Sequence, residues 1–227
     1  MAWIAKPSGG YVLGSQESIQ IITEIHNMLD RAGYTLQSQA GILGNAYHES
    51  GLNPWRWQSD TVNLLYGGYG IFQYTASTSA ATDRYIQVCS SLPYYAPNLS
   101  TSQITAGALP TDGICQMNVF ITDYLNKWYA GLWRAYWPEN AELRAKCNAI
   151  LSNYGNGSAL TQAQFSHIPD IEDATIAFLG CFEGPAIPNY TVRVNTALEV
   201  YDILINLPHY GGGKMPLWMM MKPYWKR

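Results

Sequence analysis

The spacing of apolar residues predicts two helices in the N-terminal part of the chain. In the first, apolar side chains recur every three or four positions and so share one face of a helix. Ser15 can cap this helix, and Gly33 ends it. Thr35 can cap the second helix, which runs toward Glu49 and stops in the Gly- and Pro-containing segment 51–54. The apolar face of the first helix consists of Ile21, Ile22, Ile25, Met28, Leu29 and Ala32, and that of the second consists of Ala40, Ile42, Leu43, Ala46 and Tyr47.

After the second helix the pattern changes to that of loops and then returns to that of helices. The segment from Gly51 to about Asp112 is rich in Gly, Ser, Thr, Asn and Pro, which predicts loops, with a short hairpin near Tyr66 to Tyr74 and a short helix near Asp83 to Ser90. Helical spacing then predicts four further helices, one of which Asp170 can cap. They cover residues 112–129, 139–151, 173–182 and 193–207. We therefore expect a mainly α fold.

The C-terminal end of the chain differs in composition from the rest. Gly211 to Gly213 resemble a linker, and the segment from Lys214 to Arg227 is apolar and basic, with no acidic residue. We therefore divide the chain into a domain over residues 1–210 and a tail over residues 211–227. No apolar run of about 18 residues occurs, and the first residues lack the pattern of a signal peptide. We expect neither a membrane span nor signal-dependent export.

Composition narrows the possible functions. The chain has 227 residues, of which 48% are hydrophobic and only 13% are charged, with a net charge of −3. It can bury a sizeable core, and it lacks the basic field that would hold a nucleic acid. Its 17 Tyr and 8 Trp include enough rings for some to stack on sugars, although most aromatic rings serve as core.

The spacing of the cysteines and the absence of several motifs argue against metal-dependent and other catalytic chemistries. Cys89, Cys115, Cys147 and Cys181 form no CxxC pair, so we expect buried free thiols rather than a zinc site or a disulfide framework. A zinc helix of the H-E-x-x-H type is absent because Leu52 stands where the second histidine would be. Nucleophile-elbow and phosphate-loop motifs are also absent. The sequence predicts neither a metal nor a cofactor.

Glu49 is the main candidate for acid–base chemistry. It lies at the end of an apolar helix, just before a Gly/Pro stop and an aromatic-rich loop. A carboxyl group held against apolar surface loses hydration, which raises its pKa and lets it donate a proton near neutral pH. Glycosidic cleavage needs such a donor for the leaving sugar oxygen. On spacing alone, a solvated glutamate at a helix end is the more common explanation.

Three segments resemble known peptidoglycan-cleaving domains. ESGLNP, from Glu49 to Pro54, resembles the E-S-G-x-N-P signature of lysozyme-like and lytic-transglycosylase domains, and GYGIFQY, from Gly68 to Tyr74, resembles their G-x-x-Q-[WY] element. The block from Ala177 to Tyr201 resembles the F-E-R-P segment and following helix of the phage tail lysozyme family. The resemblance extends over residues 15–207. It implies a lysozyme-like α-helical domain in which a loop or small hairpin lines the substrate cleft.

The resemblance also implies roles for individual residues. Glu49 matches the catalytic acid, and Gln73 matches a glutamine that lines the cleft. Gly70 would let the backbone approach the sugar closely. We also assign Trp57 and Tyr74 to substrate binding.

Two further acids are candidates for a role at or near the site. Asp60 is the next acidic residue after Glu49, and it either positions water as a second catalytic carboxylate or caps a turn. Glu183 precedes Gly184, where the family often has arginine, and we expect Glu183 to be a buried structural acid.

The resemblance implies an enzyme of the virion tail tip that opens cell-wall glycan at the start of infection. The predicted partners are peptidoglycan and, through Lys214 to Arg227, other tail proteins, with no nucleic acid and no cofactor. A lytic transglycosylase, an endolysin that acts at host lysis, and a non-enzymatic tail or wall-binding module with the same fold are the alternatives. We favour a muramidase-type hydrolase.

Overall fold

The computed structural model describes Trp3, Lys6, Leu109 and residues 9–56, 68–75, 111–124, 140–185 and 187–207. This part of the chain is mainly helical, as predicted, with one short β-hairpin. The α-helices are α1 (Gln16–Arg31), α2 (Leu36–Ser50), α3 (Thr111–Val119), α4 (Ala141–Tyr154), α5 (Gln162–Phe165), α6 (Ile171–Phe178) and α7 (Tyr190–Leu204). The strands β1 (Gly68–Tyr69) and β2 (Tyr74–Thr75) pair in antiparallel fashion, and π-helical turns Phe120–Tyr124 and Leu179–Glu183 extend α3 and α6.

Helix ends follow the capping signals in the sequence. The Ser18 N–H donates to Ser15 Oγ at 3.2 Å, and the Ser38 N–H donates to Thr35 Oγ1 at 3.2 Å. Gly33 ends α1 with a φ of +87°, which glycine adopts without strain. These three predictions are confirmed.

Each of the four later helices that were predicted has a counterpart in the structure, but the bounds differ. Asp170 caps α6 by accepting a hydrogen bond from the Asp173 N–H at 2.9 Å. Helix α7 begins three residues before the predicted start at Arg193, α4 begins two residues after the predicted start at Glu139, and the short helix α5 was missed. The predicted helix near residues 83–90, the end of the predicted helix 112–129 and the division at residue 210 lie outside the described residues.

The described residues form two compact units. The first contains residues up to 24 together with 46–120, and the second contains 25–45 together with 121–207. In the second unit, α2 has glycines at the positions where α6 and α7 pack against it. A Cβ on Gly41 would lie 2.8 Å from the carbonyl carbon of Ala174, and a Cβ on Gly44 would lie 2.8 Å from the Cβ of Ala197. The two glycines therefore permit close helix packing.

A buried polar group accompanies this packing in the second unit. Asn45 is fully buried, and its Nδ2 donates to the carbonyls of Gly41 at 2.8 Å and Thr175 at 3.0 Å. Its Oδ1 accepts a hydrogen bond from Arg193 Nη1 at 3.2 Å. A buried amide with several partners fixes one arrangement of the helices, because any other arrangement would leave polar groups unpaired.

The cysteine prediction is partly wrong. Cys147 and Cys181 are free and buried, as expected. Burial raises the pKa of the Cys181 thiol far above its ordinary value, so this group stays protonated. Cys115, however, is disulfide-bonded, and Cys89 lies outside the described residues. Spacing along the chain did not reveal the disulfide, because pairing depends on how close two cysteines come in space.

The core of the first unit surrounds the hairpin. Tyr69 and Ile71 are fully buried, and the ring of Phe72 stacks on that of Phe120 with 4.6 Å between centroids. Tyr69 pairs with Tyr74 across the two strands, which confirms the short hairpin predicted near residues 66–74. No helix in the described part of the chain is long and apolar enough to cross a membrane.

Candidate active site

Glu49 is the last residue but one of α2, and its side chain is partly buried. The helix ends when the Gly51 N–H donates to the Tyr47 carbonyl at 2.7 Å, after which the backbone enters the left-handed region at both Gly51 and Leu52, each with a φ of 62°. Leu52 is a fully buried residue with a side chain, so this conformation costs on the order of 1 kcal/mol or more. Surrounding contacts must hold the turn in place.

Ser50 joins the Glu49 segment to the hairpin. Its Oγ donates to the Ile71 carbonyl at 2.7 Å, and both residues are fully buried. Ile71 lies in the turn of the GYGIFQY segment. The two segments that resemble peptidoglycan-cleaving domains are therefore hydrogen-bonded to each other through the residue next to Glu49.

Gln116 on α3 is a second link, and it was not among the site residues predicted from the sequence. Its side chain is fully buried, its Oε1 accepts from the Ile71 N–H at 3.0 Å, and its Nε2 donates to the Pro54 carbonyl at 2.8 Å. Gln116 thus holds the hairpin turn and the end of the ESGLNP segment at a fixed distance from each other. The available signal was an uncharged polar residue among apolar positions of a helix, which by itself is weak.

Gln73 is held inside the hairpin turn. It has a φ of 47°, and its Nε2 donates to the carbonyls of Arg56 and Gly70, both at 3.0 Å. With both amide hydrogens directed at backbone carbonyls, Gln73 can offer a bound sugar only the acceptor Oε1. Gly70 is buried, has a φ of +82° and donates its own N–H to the Arg56 carbonyl at 2.9 Å.

Unusual backbone conformations concentrate at these two segments. Among the described residues, Leu52, Gln73 and Asn189 are the non-glycine residues with positive φ, and the first two flank the candidate site. Strained backbone is common at functional sites because the surrounding structure fixes it there. This pattern motivates a functional role for the turn after Glu49 and for the hairpin turn.

The structure describes only part of the remaining predicted site residues. Trp57, Asp60 and the side chain of Tyr74 lie outside the described residues. Trp55, which was not among the predicted site residues, is 1% exposed and donates its Nε1–H to Asp112 Oδ2 at 2.8 Å. It therefore fixes α3 to the segment after α2, rather than offering its ring to a sugar.

Glu183 belongs to the second unit, where it ends the π-helical turn and is partly buried. Gly184 follows with a φ of +54°, and its N–H donates to the Leu179 carbonyl at 2.8 Å. This left-handed cap gives a local reason for glycine at this position. Among the described residues, no group of three or more His, Cys, Asp or Glu side chains could hold a metal ion.

Comparison with protein families supports the resemblance of the three segments. The family model of the phage tail lysozymes matches residues 20–204, a range that contains Glu49, the hairpin and the block from Ala177 to Tyr201. No curated protein matches the chain. The matched range is most of the chain, and the family implies lysozyme-like activity on peptidoglycan. The chain therefore belongs to the phage tail lysozyme family.

Proposed function

We propose that the protein hydrolyses the glycan strands of peptidoglycan and that Glu49 is the general acid. The hydrogen bond from Ser50 to the Ile71 carbonyl carries this proposal, because it holds the Glu49 segment against the turn that contains Gln73. A catalytic acid must be fixed relative to the groups that orient the substrate. The proposal gives Glu49 that fixed position.

The proposed reaction starts with proton transfer from Glu49 to the oxygen of the leaving sugar. The ring then develops oxocarbenium character, and water attacks its anomeric carbon. Gln73 Oε1 would accept a hydrogen bond from the sugar, since the amide nitrogen is already used within the turn. We assign Asp60 as the base that positions the attacking water, and Trp57 and Tyr74 as rings that contact the glycan.

The products distinguish this hydrolase from a lytic transglycosylase. Purified protein is incubated with isolated cell wall, and the released fragments are analysed by mass spectrometry. Hydrolysis leaves reducing ends, whereas attack by the substrate's own 6-hydroxyl leaves anhydro-muramic ends. Anhydro ends would contradict the hydrolase proposal, and the absence of any release, checked by zymography, would favour a non-enzymatic tail module.

The Asp60→Asn variant tests the second carboxylate. If Asp60 positions water, the variant loses about 10²-fold or more in kcat, because the amide cannot accept the proton. Asp202→Asn is the matched control, since Asp202 is exposed on α7 in the other compact unit, and it should keep wild-type rates. A loss below about threefold for Asp60→Asn would favour a mechanism with one protein carboxylate.

We further propose that the enzyme is carried at the virion tail tip and acts at the start of infection. The family name supports a place in the tail. Purified virions that contain the protein would support this proposal, whereas a protein found free in the host at lysis and absent from virions would favour an endolysin.

We propose that the segment Lys214 to Arg227 docks on another tail protein. Its Met and Trp residues suit an interface, because thioethers adapt to irregular surfaces and indoles anchor contacts. Deletion of residues 211–227 should leave cleavage of isolated wall near the wild-type rate and abolish incorporation into virions. A truncated protein that unfolds or loses activity in solution would instead assign the segment to the lysozyme domain.

A further inference from the structure

The residues before α1 lie outside the range that matches the family, which begins at residue 20. We call Trp3, Lys6 and residues 9–14 the N-terminal arm. The arm lies in the same compact unit as Glu49 and the hairpin. It contacts the turn that follows Glu49, and these contacts suggest a role that the family resemblance does not include.

In the closest contact, the backbone of the arm packs against the backbone of the turn. A Cβ on Gly10 would lie 2.5 Å from the Gly51 Cα, and a Cβ on Gly51 would collide with the Gly10 Cα. The Tyr11 N–H donates to the Gly51 carbonyl at 2.9 Å. The last carbonyls of a helix lack partners within the helix, so this bond from the arm fixes a group just past the end of α2.

Asn53 makes a second connection between the same turn and the arm. Its fully buried side chain donates from Nδ2 to the carbonyls of Lys6 at 2.9 Å and Gly9 at 2.8 Å. Its Oδ1 accepts from the Trp55 N–H at 3.0 Å. One amide therefore ties the arm to the turn with its nitrogen and shapes the turn with its oxygen.

The arm is itself anchored in the unit. Trp3 and Tyr11 are each 3% exposed, and the Trp3 ring packs on Gly113 of α3, where a Cβ would lie 2.5 Å from the ring. The Leu13 N–H also donates to the hydroxyl of Tyr47, two residues before Glu49, at 3.3 Å. An anchored segment can hold a strained turn, whereas a loose chain end cannot.

We propose that the N-terminal arm is a positioning element for Glu49. It holds the left-handed turn at Gly51 and Leu52, and through this turn it fixes the end of α2 that carries the carboxyl group. The inference rests on the proposed role of Glu49. It means that the active enzyme needs residues upstream of the family-matched range.

The Gly10→Ala variant tests this proposal in the full chain. Its methyl group collides with the Gly51 backbone, so the turn must move, and a shift of about 1 Å at a catalytic group can cost about 10²-fold in rate. We expect kcat to fall about 10- to 100-fold with KM changed less than about threefold, because orientation rather than substrate binding is lost. Gly155→Ala is the control, since its methyl group collides with the Ala159 carbonyl in the other compact unit. Equal kcat values for the two folded variants would overturn the proposal.

A second variant and a second measurement keep the test decisive if Gly10→Ala folds poorly. Asn53→Asp removes the donor to the arm and keeps the acceptor for the Trp55 N–H, so it should lower kcat in the same way. Hydrogen–deuterium exchange should rise in residues 47–55 of either variant and stay unchanged there in Gly155→Ala. If the wild-type protein cleaves no peptidoglycan, the proposed function fails, and unchanged exchange in residues 47–55 would separately overturn the role of the arm.

Discussion

Replacement of Glu49 by Gln should leave the fold intact and remove nearly all cleavage of peptidoglycan. The amide is nearly isosteric with the carboxyl group but cannot donate the proton that the leaving sugar oxygen needs. Loss of general acid catalysis typically costs about 10²- to 10⁴-fold in rate. We expect kcat to fall by this amount with KM nearly unchanged, since substrate contacts made in the ground state remain.

The control for Glu49→Gln is Glu199→Gln, on the exposed side of α7 in the other compact unit. It makes the same chemical change away from the candidate site and should keep the wild-type rate. Rates are measured on isolated cell wall, and thermal unfolding of both variants checks that the fold is unchanged. A Glu49→Gln variant that keeps more than about a tenth of the wild-type rate would contradict the assignment.

Replacement of Gln116 by Leu should reduce both stability and activity. The substitution leaves the Ile71 N–H and the Pro54 carbonyl without their buried partner, and each unpaired group costs about 1–3 kcal/mol. We therefore expect the free energy of unfolding to fall by roughly 2–6 kcal/mol. Because these two groups belong to the two motif segments, we also expect a loss of about tenfold or more in kcat.

Gln39 provides a matched control for this substitution. It is also a fully buried glutamine whose amide oxygen and nitrogen are both hydrogen-bonded. Its Oε1 is 2.7 Å from His26 Nδ1, and its Nε2 donates to the Tyr34 carbonyl at 2.9 Å. It lies in the other compact unit, so Gln39→Leu should lose similar stability and keep kcat. Urea unfolding gives the stabilities, and rates are compared under conditions where both variants are folded. Equal kcat values would show that Gln116 serves the fold alone.

Local signals in the sequence predicted the caps of α1, α2 and α6 correctly. Ser15, Thr35 and Asp170 cap helices as expected because each cap bonds an N–H three residues away, so the interaction depends only on nearby sequence. The start of α7 was placed three residues too late, at Arg193. It begins instead after Asn189, which has a φ of 42° and whose side chain makes no cap bond.

The sequence also indicated the two segments that form the candidate site. Glu49 at the end of an apolar helix and the GYGIFQY segment were recognisable because the chemistry of a short motif depends on residue types and spacing. The family match over residues 20–204 agrees with that resemblance. The sequence was therefore sufficient for the helical class, for the caps of α1, α2 and α6, and for recognising the family.

The contacts that hold the candidate site together are tertiary contacts, which the sequence did not predict. The bond from Ser50 to Ile71, the two bonds of Gln116 and the packing of Gly10 on Gly51 join residues that are distant in sequence. Such contacts form where separate segments meet in the folded chain, so no periodicity or local motif indicates them. The turn after Glu49 keeps its strained shape because these distant segments, and not its own sequence, surround it.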